Sequence, residues 1–305
     1  MMVIGDALAV FLMAAAYDIL LGEPPAKIHP VVWIGKLIAL LRSRLPPTKL
    51  GGVVLALMVI AATVLAGHLL VRAAGFLPIL PLLVSAFLLK STFAMRCLLQ
   101  VSSDIGRMID EDMEQARSML PALVGRDTAS LSRGQASSAV IESLSENYVD
   151  GILSPIFYYA LFAPLGLGME AALAFKVVST MDSMVGYKTK GLKEIGFAGA
   201  RADDLLNFIP ARLSIFLIAL ARPFRAGAAL RAAFRYHSRT PSPNSGWPMA
   251  ACAGALGIRL EKPGYYVLLD EGAEPQTSDV PRAVGLMQGA IALSLASALL
   301  FLFWT

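Results

Sequence analysis

Residues 142–213 crowd acidic, amide and cationic side chains into and beside some of the most apolar sequence in the chain: ESLSENYVDGILSPIFYYALF, then FKVVSTMDSMVGYKTKG, then ARADDLLNFIPARL. Glu142, Glu146, Asp150, Asp182, Asp203 and Asp204 all fall close to segments apolar enough to enter a membrane. An ionisable group in or at the edge of hydrocarbon costs on the order of several kcal/mol, so such groups are paired or functional. Keeping so many of them there points to chemistry or transport at a membrane face.

Each cluster has a chemical reading and a bland one. On a helix, Glu142 and Glu146 are four residues apart and project the same way, with Asp150 following if the helix continues. Such a ladder suits a divalent cation, for which hard oxygen ligands are preferred and which Mg²⁺ commonly shares with phosphate. A solvated helix end stopped by Asp150-Gly151 would look the same. Asp182-Ser183 followed by Tyr187-Lys188 offers an acid for a metal and a cation for phosphate. A snorkelling helix end explains Lys188 but not Asp182 beside Val177-Val178-Ser179-Thr180-Met181.

Asp203 could cap a short helix, yet Asp204, Asn207 and Arg212 add more polar groups than a cap requires. His237, Asn244 and Trp247 lie in a loop restricted by Pro241, Pro243 and Pro248, with Gly246 permitting an unusual backbone angle. Binding loops and rigid turns share that pattern. Asp18, Glu23, His29 and Pro30 gather where a first apolar segment ends, a feature equally expected of a polar helix terminus.

The elements that must carry these groups are helices. Of 305 residues 56% are hydrophobic and only 16% charged, against about a quarter charged in soluble domains. The expected fold is an all-α, polytopic membrane protein with about six spans and a helical cytoplasmic cap, forming one integral-membrane domain over 1–305. Candidate spans are 3–21, 53–70, 76–95, 152–168, 171–186 and 284–303, with 152–168 and 171–186 joined as a hairpin through Pro164-Leu165-Gly166. Residues 209–221 are too short to span comfortably and suit a re-entrant or surface segment.

The cytoplasmic regions are then 22–52, 96–150 and 187–282. They carry five, five and thirteen Lys or Arg, whereas the opposite side has only Arg72. With six spans every basic loop lands on one side, which the positive-inside rule assigns to the cytoplasm. Lys90 and Lys176 fall inside candidate spans and say nothing about topology. The first apolar stretch lacks a basic flank and a small-residue cleavage site, and is expected to be a retained span.

The net charge of +4 is spread through loops, which excludes a nucleic-acid patch. Cys97 and Cys252 fit neither metal nor disulfide spacing. The chain has no P-loop, no dinucleotide fingerprint and no H-E-x-x-H motif, so any ATP site departs from the standard patterns.

In order along the chain, these residues resemble the cobalamin-biosynthesis membrane synthase family of the CbiB/CobD type, adenosylcobinamide-phosphate synthase. The matching stretches are Asp18-Ile-Leu-Leu-Gly-Glu-Pro-Pro25, His29-Pro30 with Ile34-Gly35, and Glu142-Ser-Leu-Ser-Glu-Asn-Tyr-Val-Asp-Gly151 with Ser154-Pro155-Ile-Phe157. They continue with Asp182-Ser-Met-Val-Gly-Tyr-Lys188, Phe197 to Arg201, Asp203-Asp204-Leu205 with Asn207, Pro210-Ala211-Arg212, Ser242-Pro-Asn-Ser-Gly-Trp-Pro248 and Ala253-Gly254-Ala255-Leu256-Gly257. Tyr148 and Glu23 are conservative departures from the pattern.

The resemblance implies ATP- and Mg²⁺-dependent amide synthesis, joining adenosylcobyric acid to aminopropanol or its O-phosphate. Glu142, Glu146, Asp150 and Asp182 are then expected to hold Mg²⁺ or act as base, with Lys188 and Arg212 facing phosphate. Asp203, Asp204 and Asn207 would position metal or amine, and Asn244 and Trp247 would cover the corrinoid. Asn147, Tyr187, His237, Asp18 and His29 join them as expected substrate contacts. Membrane lipid and other corrinoid-pathway enzymes are the expected neighbours, with no nucleic acid.

Two rival classes remain. A transporter for a corrinoid or a cation accounts for buried acids, but predicts polar residues at both membrane depths, and the outward side here has almost none. A non-catalytic scaffold explains the spans and leaves the acid–amide–cation motifs without a use.

Overall fold

The computed structural model describes residues 4–186 and 192–305, and it is overwhelmingly helical. In chain order the helices are α1 (Ile4–Leu21), α2 (Pro30–Arg42), α3 (Lys49–Ala73), α4 (Leu80–Lys90), α5 (Met95–Glu111), α6 (Met113–Met119) and α7 (Arg133–Tyr148). They continue as α8 (Ser154–Phe162), α9 (Gly168–Val185), α10 (Phe197–Leu206), α11 (Phe208–Ala221), α12 (Ala226–Tyr236), α13 (Gly246–Leu256) and α14 (Asp279–Trp304). Among the described residues the one sheet is an antiparallel hairpin of β1 (Leu260–Lys262) and β2 (Tyr266–Leu268).

The all-α membrane class expected from composition is what the structure shows. Among the described residues four helical stretches are long and apolar enough to cross a bilayer: Lys49–Phe76, Leu80–Glu111, Arg133–Leu165 and Asp279–Trp304. The pair α10–α11, bent by 42°, makes a fifth if counted as one broken span. The segment that looked too short for a span is thus the second half of a bent pair.

Local chemistry sets the element ends. Ser132 and Gln135 form a reciprocal capping box that starts α7. The alternative of a helix end at Asp150-Gly151 is not what forms: Val149–Leu153 makes a π turn that carries α7 into α8. One π turn shifts the register, so Asp150 leaves the regular Glu142–Glu146 ladder. The expected turn at 164–166 is present, with Gly166 at φ 70°, a left-handed conformation glycine adopts without steric cost.

The chain divides into two compact units, Met1–Ala94 with Ser154–Leu206 and Ala296–Thr305, and Met95–Leu153 with Asn207–Leu295. In the first, a core of Ile34, Ile38, Leu55, Val59, Val177, Met181, Val185 and Ile195 ties α2, α3 and α9 together. In the second, α13 is almost wholly buried, and Gly254 stands so close to α12 that a Cβ there would lie 2.5 Å from the Ala228 carbonyl oxygen.

Candidate functional site

The polar residues singled out from sequence are divided between the two units. In the second unit, α11 carries Arg212, whose guanidinium carbon lies 3.4 Å from the Phe208 ring centre and 5.0 Å from that of Trp247. Its Nη1 donates to the Phe208 carbonyl at 2.7 Å and to Asn244 Oδ1 at 3.3 Å. Trp247 in turn stacks on His237, ring centres 3.7 Å apart and planes 9° from parallel. Arg212, His237, Asn244 and Trp247, expected as substrate contacts, are therefore neighbours.

Trp247 was expected in the loop; it stands in the first turn of α13, where Pro248 is tolerated because that turn's N–H groups lack helical partners. Gly246 is needed for space rather than for an unusual backbone angle, since a Cβ there would lie 1.9 Å from the His237 carbonyl oxygen. The Trp247 indole N–H is buried with no hydrogen-bond partner among the described residues. An unsatisfied buried donor of this kind calls for an explanation, of which a ligand oxygen is one.

Burial holds the His237 imidazole below its ordinary pKa, and the nearby Arg212 charge adds to the effect. The unfolded chain then binds the proton more readily than the folded one below the unfolded value of 6.5. Stability from this group is present above that pH and lost as pH falls through the lower folded value. A His237→Gln variant is expected to show a flatter melting-temperature profile between pH 7.5 and 5.5 than the parent, about those limits being set by the ordinary imidazole range.

Glu142, expected as a metal ligand or base, has both carboxylate oxygens engaged. Arg126 Nη2 donates to Oε1 at 3.0 Å, Ser138 Oγ donates to Oε1 at 2.9 Å, and Tyr266 Oη donates to Oε2 at 2.6 Å. Ser138 also accepts from the Glu261 backbone N–H at 2.8 Å. Together these bonds pin the β1–β2 hairpin to α7. Burial and the facing Glu142 carboxylate push the Tyr266 hydroxyl far above its ordinary pKa, so it remains a donor. Tyr266→Phe strips one donor from a buried acid and is expected to cost about 1–3 kcal/mol, read as faster amide exchange across 260–268. Glu146, Asn147 and Asp150 follow on α7 and the π turn, partly exposed; the Asn147 amide donates back to the Ser143 carbonyl at 2.9 Å.

In the first unit Asp182 on α9 meets α10. Gly199 lets α10 come close, a Cβ there lying 3.2 Å from Met181 Cβ, and Asp204 is near enough for its charge to repel that of Asp182. Asp203 and Asp204 sit inside α10 rather than at its start, so neither is its N-cap. Asn207, buried, follows at the start of the second unit. Tyr187 and Lys188 lie outside the described residues.

Asp18 and His29, also expected as substrate contacts, belong to a buried charge network that the sequence did not disclose. Lys90 Nζ lies 2.8 Å from Asp18 Oδ1 and 2.7 Å from Glu23 Oε1, and donates to the Phe93 carbonyl at 3.1 Å. Lys90 and Asp18 are both fully buried. His29 Nδ1 accepts from the Val31 N–H, capping α2. Its proton therefore sits on Nε2, which donates to Glu23 Oε2 at 2.9 Å. Burial opposes the charged form of Glu23, but the bonds from His29 and Lys90 outweigh it and keep its pKa below the ordinary value. Gly22, at φ 76°, makes the sharp exit from α1 that places Glu23 there.

The residues that reasoning from sequence missed are Lys90, Arg126, Ser138 and Tyr266. An ionisable residue inside an apolar run was itself the available signal for Lys90.

Residues 11–291 match the family model described as CobD/Cbib protein. The chain belongs to the CobD/CbiB family. It is 54% identical to the probable cobalamin biosynthesis protein CobD of Methanothrix thermoacetophila, over 96% of each chain. It is 38% identical to the cobalamin biosynthesis protein CobD of Klebsiella pneumoniae, over 94% of this chain and 95% of that one. No solved structure matches the chain significantly.

The donor set also bears on the expected Mg²⁺ of this family member. Among the described residues no group of three or more His, Cys, Asp or Glu is arranged to hold a metal. Carboxylates in ones and twos, such as Asp182 with Asp204, suit an ion that arrives with phosphate and keeps several waters rather than a closed protein cage.

Proposed function

We propose that this membrane protein acts in cobalamin biosynthesis as an ATP-dependent amide synthase. It would join the free propionate of adenosylcobyric acid to the amine of aminopropanol or its O-phosphate. The observation that carries the reading is the Arg212–Asn244–Trp247–His237 constellation: a guanidinium held between aromatic faces, beside a buried indole N–H without a partner. Both groups are donors suited to anionic oxygen, and the proposed reaction brings a carboxylate on the corrinoid acid and phosphates on ATP.

A carboxylate is a poor acyl donor. In the proposed route its oxygen attacks the γ-phosphorus of ATP, ADP leaves, and an acyl phosphate forms. The amine nitrogen then attacks the acyl carbon and inorganic phosphate departs. A proton must leave the ammonium form before that attack. Mg²⁺, carried with the nucleotide, would supply charge neutralisation at the phosphates. Arg212 would stabilise the transferring phosphoryl oxygens as a planar multi-donor cation. Of the acids, Glu146, Asp150, Asp182, Asp203 and Asp204 are the candidates for metal contact and for the base. Glu142 acts through the hairpin it holds, and Lys188 keeps its expected role toward phosphate. Asn147, Asn207 and Tyr187 remain candidate substrate contacts. The reading puts the reaction on the cytoplasmic face of the cell membrane, the side to which the positive-inside pattern assigns the basic loops.

A transport reading draws on one observation, the buried Asp18–Lys90 pair. Turnover separates the two. Detergent-purified protein given adenosylcobyric acid, ATP, Mg²⁺ and either amine is expected to release ADP and form the amide, followed by mass spectrometry. Folded protein that binds the corrinoid yet forms no product with either amine would overturn the synthase reading.

A further inference from the structure

The first unit contains an apolar slot that none of the proposed chemistry uses. A cavity of about 430 Å³ lies between α2, α3 and α4, floored by Leu173 of α9. Its α3 wall is a stripe of small residues, Ala62, Thr63, Ala66 and Gly67. Small stripes of this kind ordinarily receive a neighbouring helix; here they face open space. At Gly67 the floor is already closed, since a Cβ would stand 2.9 Å from Leu173 Cδ1.

The mouth of the slot tells what enters it. Ile28, Trp33 and Leu70 line the slot and are each about half exposed, at 49%, 51% and 49%. Helix α3, which carries Leu70, is the least buried of the candidate spans, with 22% of its apolar window covered, so its open faces belong in hydrocarbon. Trp33 donates its indole N–H to the Lys27 carbonyl at 3.0 Å, an amphipathic ring fixed between apolar and polar surroundings, as at a membrane interface. Lys27 adjoins the lining residue Ile28, and Lys36 lies one turn beyond Trp33 on α2. Both lysines are exposed, and neither side chain makes an ion pair among the described residues. An apolar slot whose lining residues Ile28 and Leu37 each have an exposed lysine as chain neighbour is complementary to an anionic lipid.

We infer that this slot binds a membrane lipid with an anionic headgroup, its hydrocarbon chain lying against Ala62, Ala66 and Gly67 and its headgroup against Lys27 and Lys36. Juxtamembrane Lys residues attract anionic headgroups, and the small α3 residues leave the width a chain needs. The occupied slot would fill the gap between α2 and α3, the two helices whose core contacts also hold α9.

The test places the full chain in nanodiscs of phosphatidylcholine containing a trace of phosphatidylglycerol with a diazirine in its chain. After photolysis, adducts are mapped by peptide mass spectrometry. Adducts are expected to concentrate on residues 33–37 and 62–70, to saturate with dose, and to be competed several-fold better by unlabelled phosphatidylglycerol than by phosphatidylcholine. Ala66→Trp is expected to remove those adducts while leaving labelling of the α14 surface at Leu300 and Phe301 unchanged, a control that also shows the variant is folded. A Lys27→Gln/Lys36→Gln variant keeps the slot open and is expected to lose the headgroup preference alone. Uniform, non-saturating labelling of α3 and α14 would overturn the inference in favour of ordinary bilayer contact. Cross-links from the slot to a second copy of the chain, excluding lipid, would overturn it in favour of self-association.

Discussion

Replacing Lys90 by Met is expected to destabilise the protein by about 3–5 kcal/mol, the cost of breaking a buried ion pair by removing one partner. Lys90 lies within ion-pair distance of both Asp18 and Glu23, and Asp18 is as deeply buried as Lys90 itself. Removing the ammonium takes a positive charge away from two acids near the end of α1, where the helix dipole already disfavours negative charge. Thermal unfolding in detergent, followed by circular dichroism, should show a fall of several degrees or a loss of folded yield. Combining Lys90→Met with Asp18→Asn also removes the buried negative charge and should recover part of the loss. A Lys90→Met protein that melts with the parent would show that the network is hydrated and worth little.

Arg212→Lys is expected to lower kcat/KM for amide formation by about 10²–10³-fold, the range seen when one preorganised donor to developing charge is lost. Lysine keeps the charge but loses the planar fork. It cannot reproduce the stack on Phe208 and Trp247 together with the bond to Asn244. Because Arg212 is only partly buried, the melting temperature should change far less than turnover does. A variant with unchanged turnover would remove Arg212 from the phosphate role and leave it as a clamp on the 240–248 segment. The expected signature of the proposed role is a fall in kcat as well as in affinity, since the donor is needed most while charge moves.

How far the candidate site can be read from the chain alone depends on distance along it. Asp182 and the Asp203–Asp204 pair were visible as acids that apolar surroundings ought to exclude, and α9 and α10 do bring Asp182 close to Asp204. The partners of Glu142 were not visible. Arg126 lies 16 residues before it and Tyr266 124 residues after, and neither position has a local pattern that announces a contact. Lys90 was set aside because a residue inside a span carries no topological information, although its being there at all was the stronger signal.

Sequence by itself determined the class of this protein. Apolar runs of bilayer length require helices, since a backbone in hydrocarbon must satisfy its own hydrogen bonds, and the collinear polar motifs identify the family. It also located the 164–166 turn, because proline and glycine act locally. Only the tertiary structure decided which polar groups are partners. It turned Asp18 and His29 into members of a network with Lys90, Glu142 into the anchor of a hairpin, and Gly246 into a spacer against His237. The physical reason is that pairing depends on three-dimensional proximity and burial, which residues far apart in sequence acquire only when the helices pack.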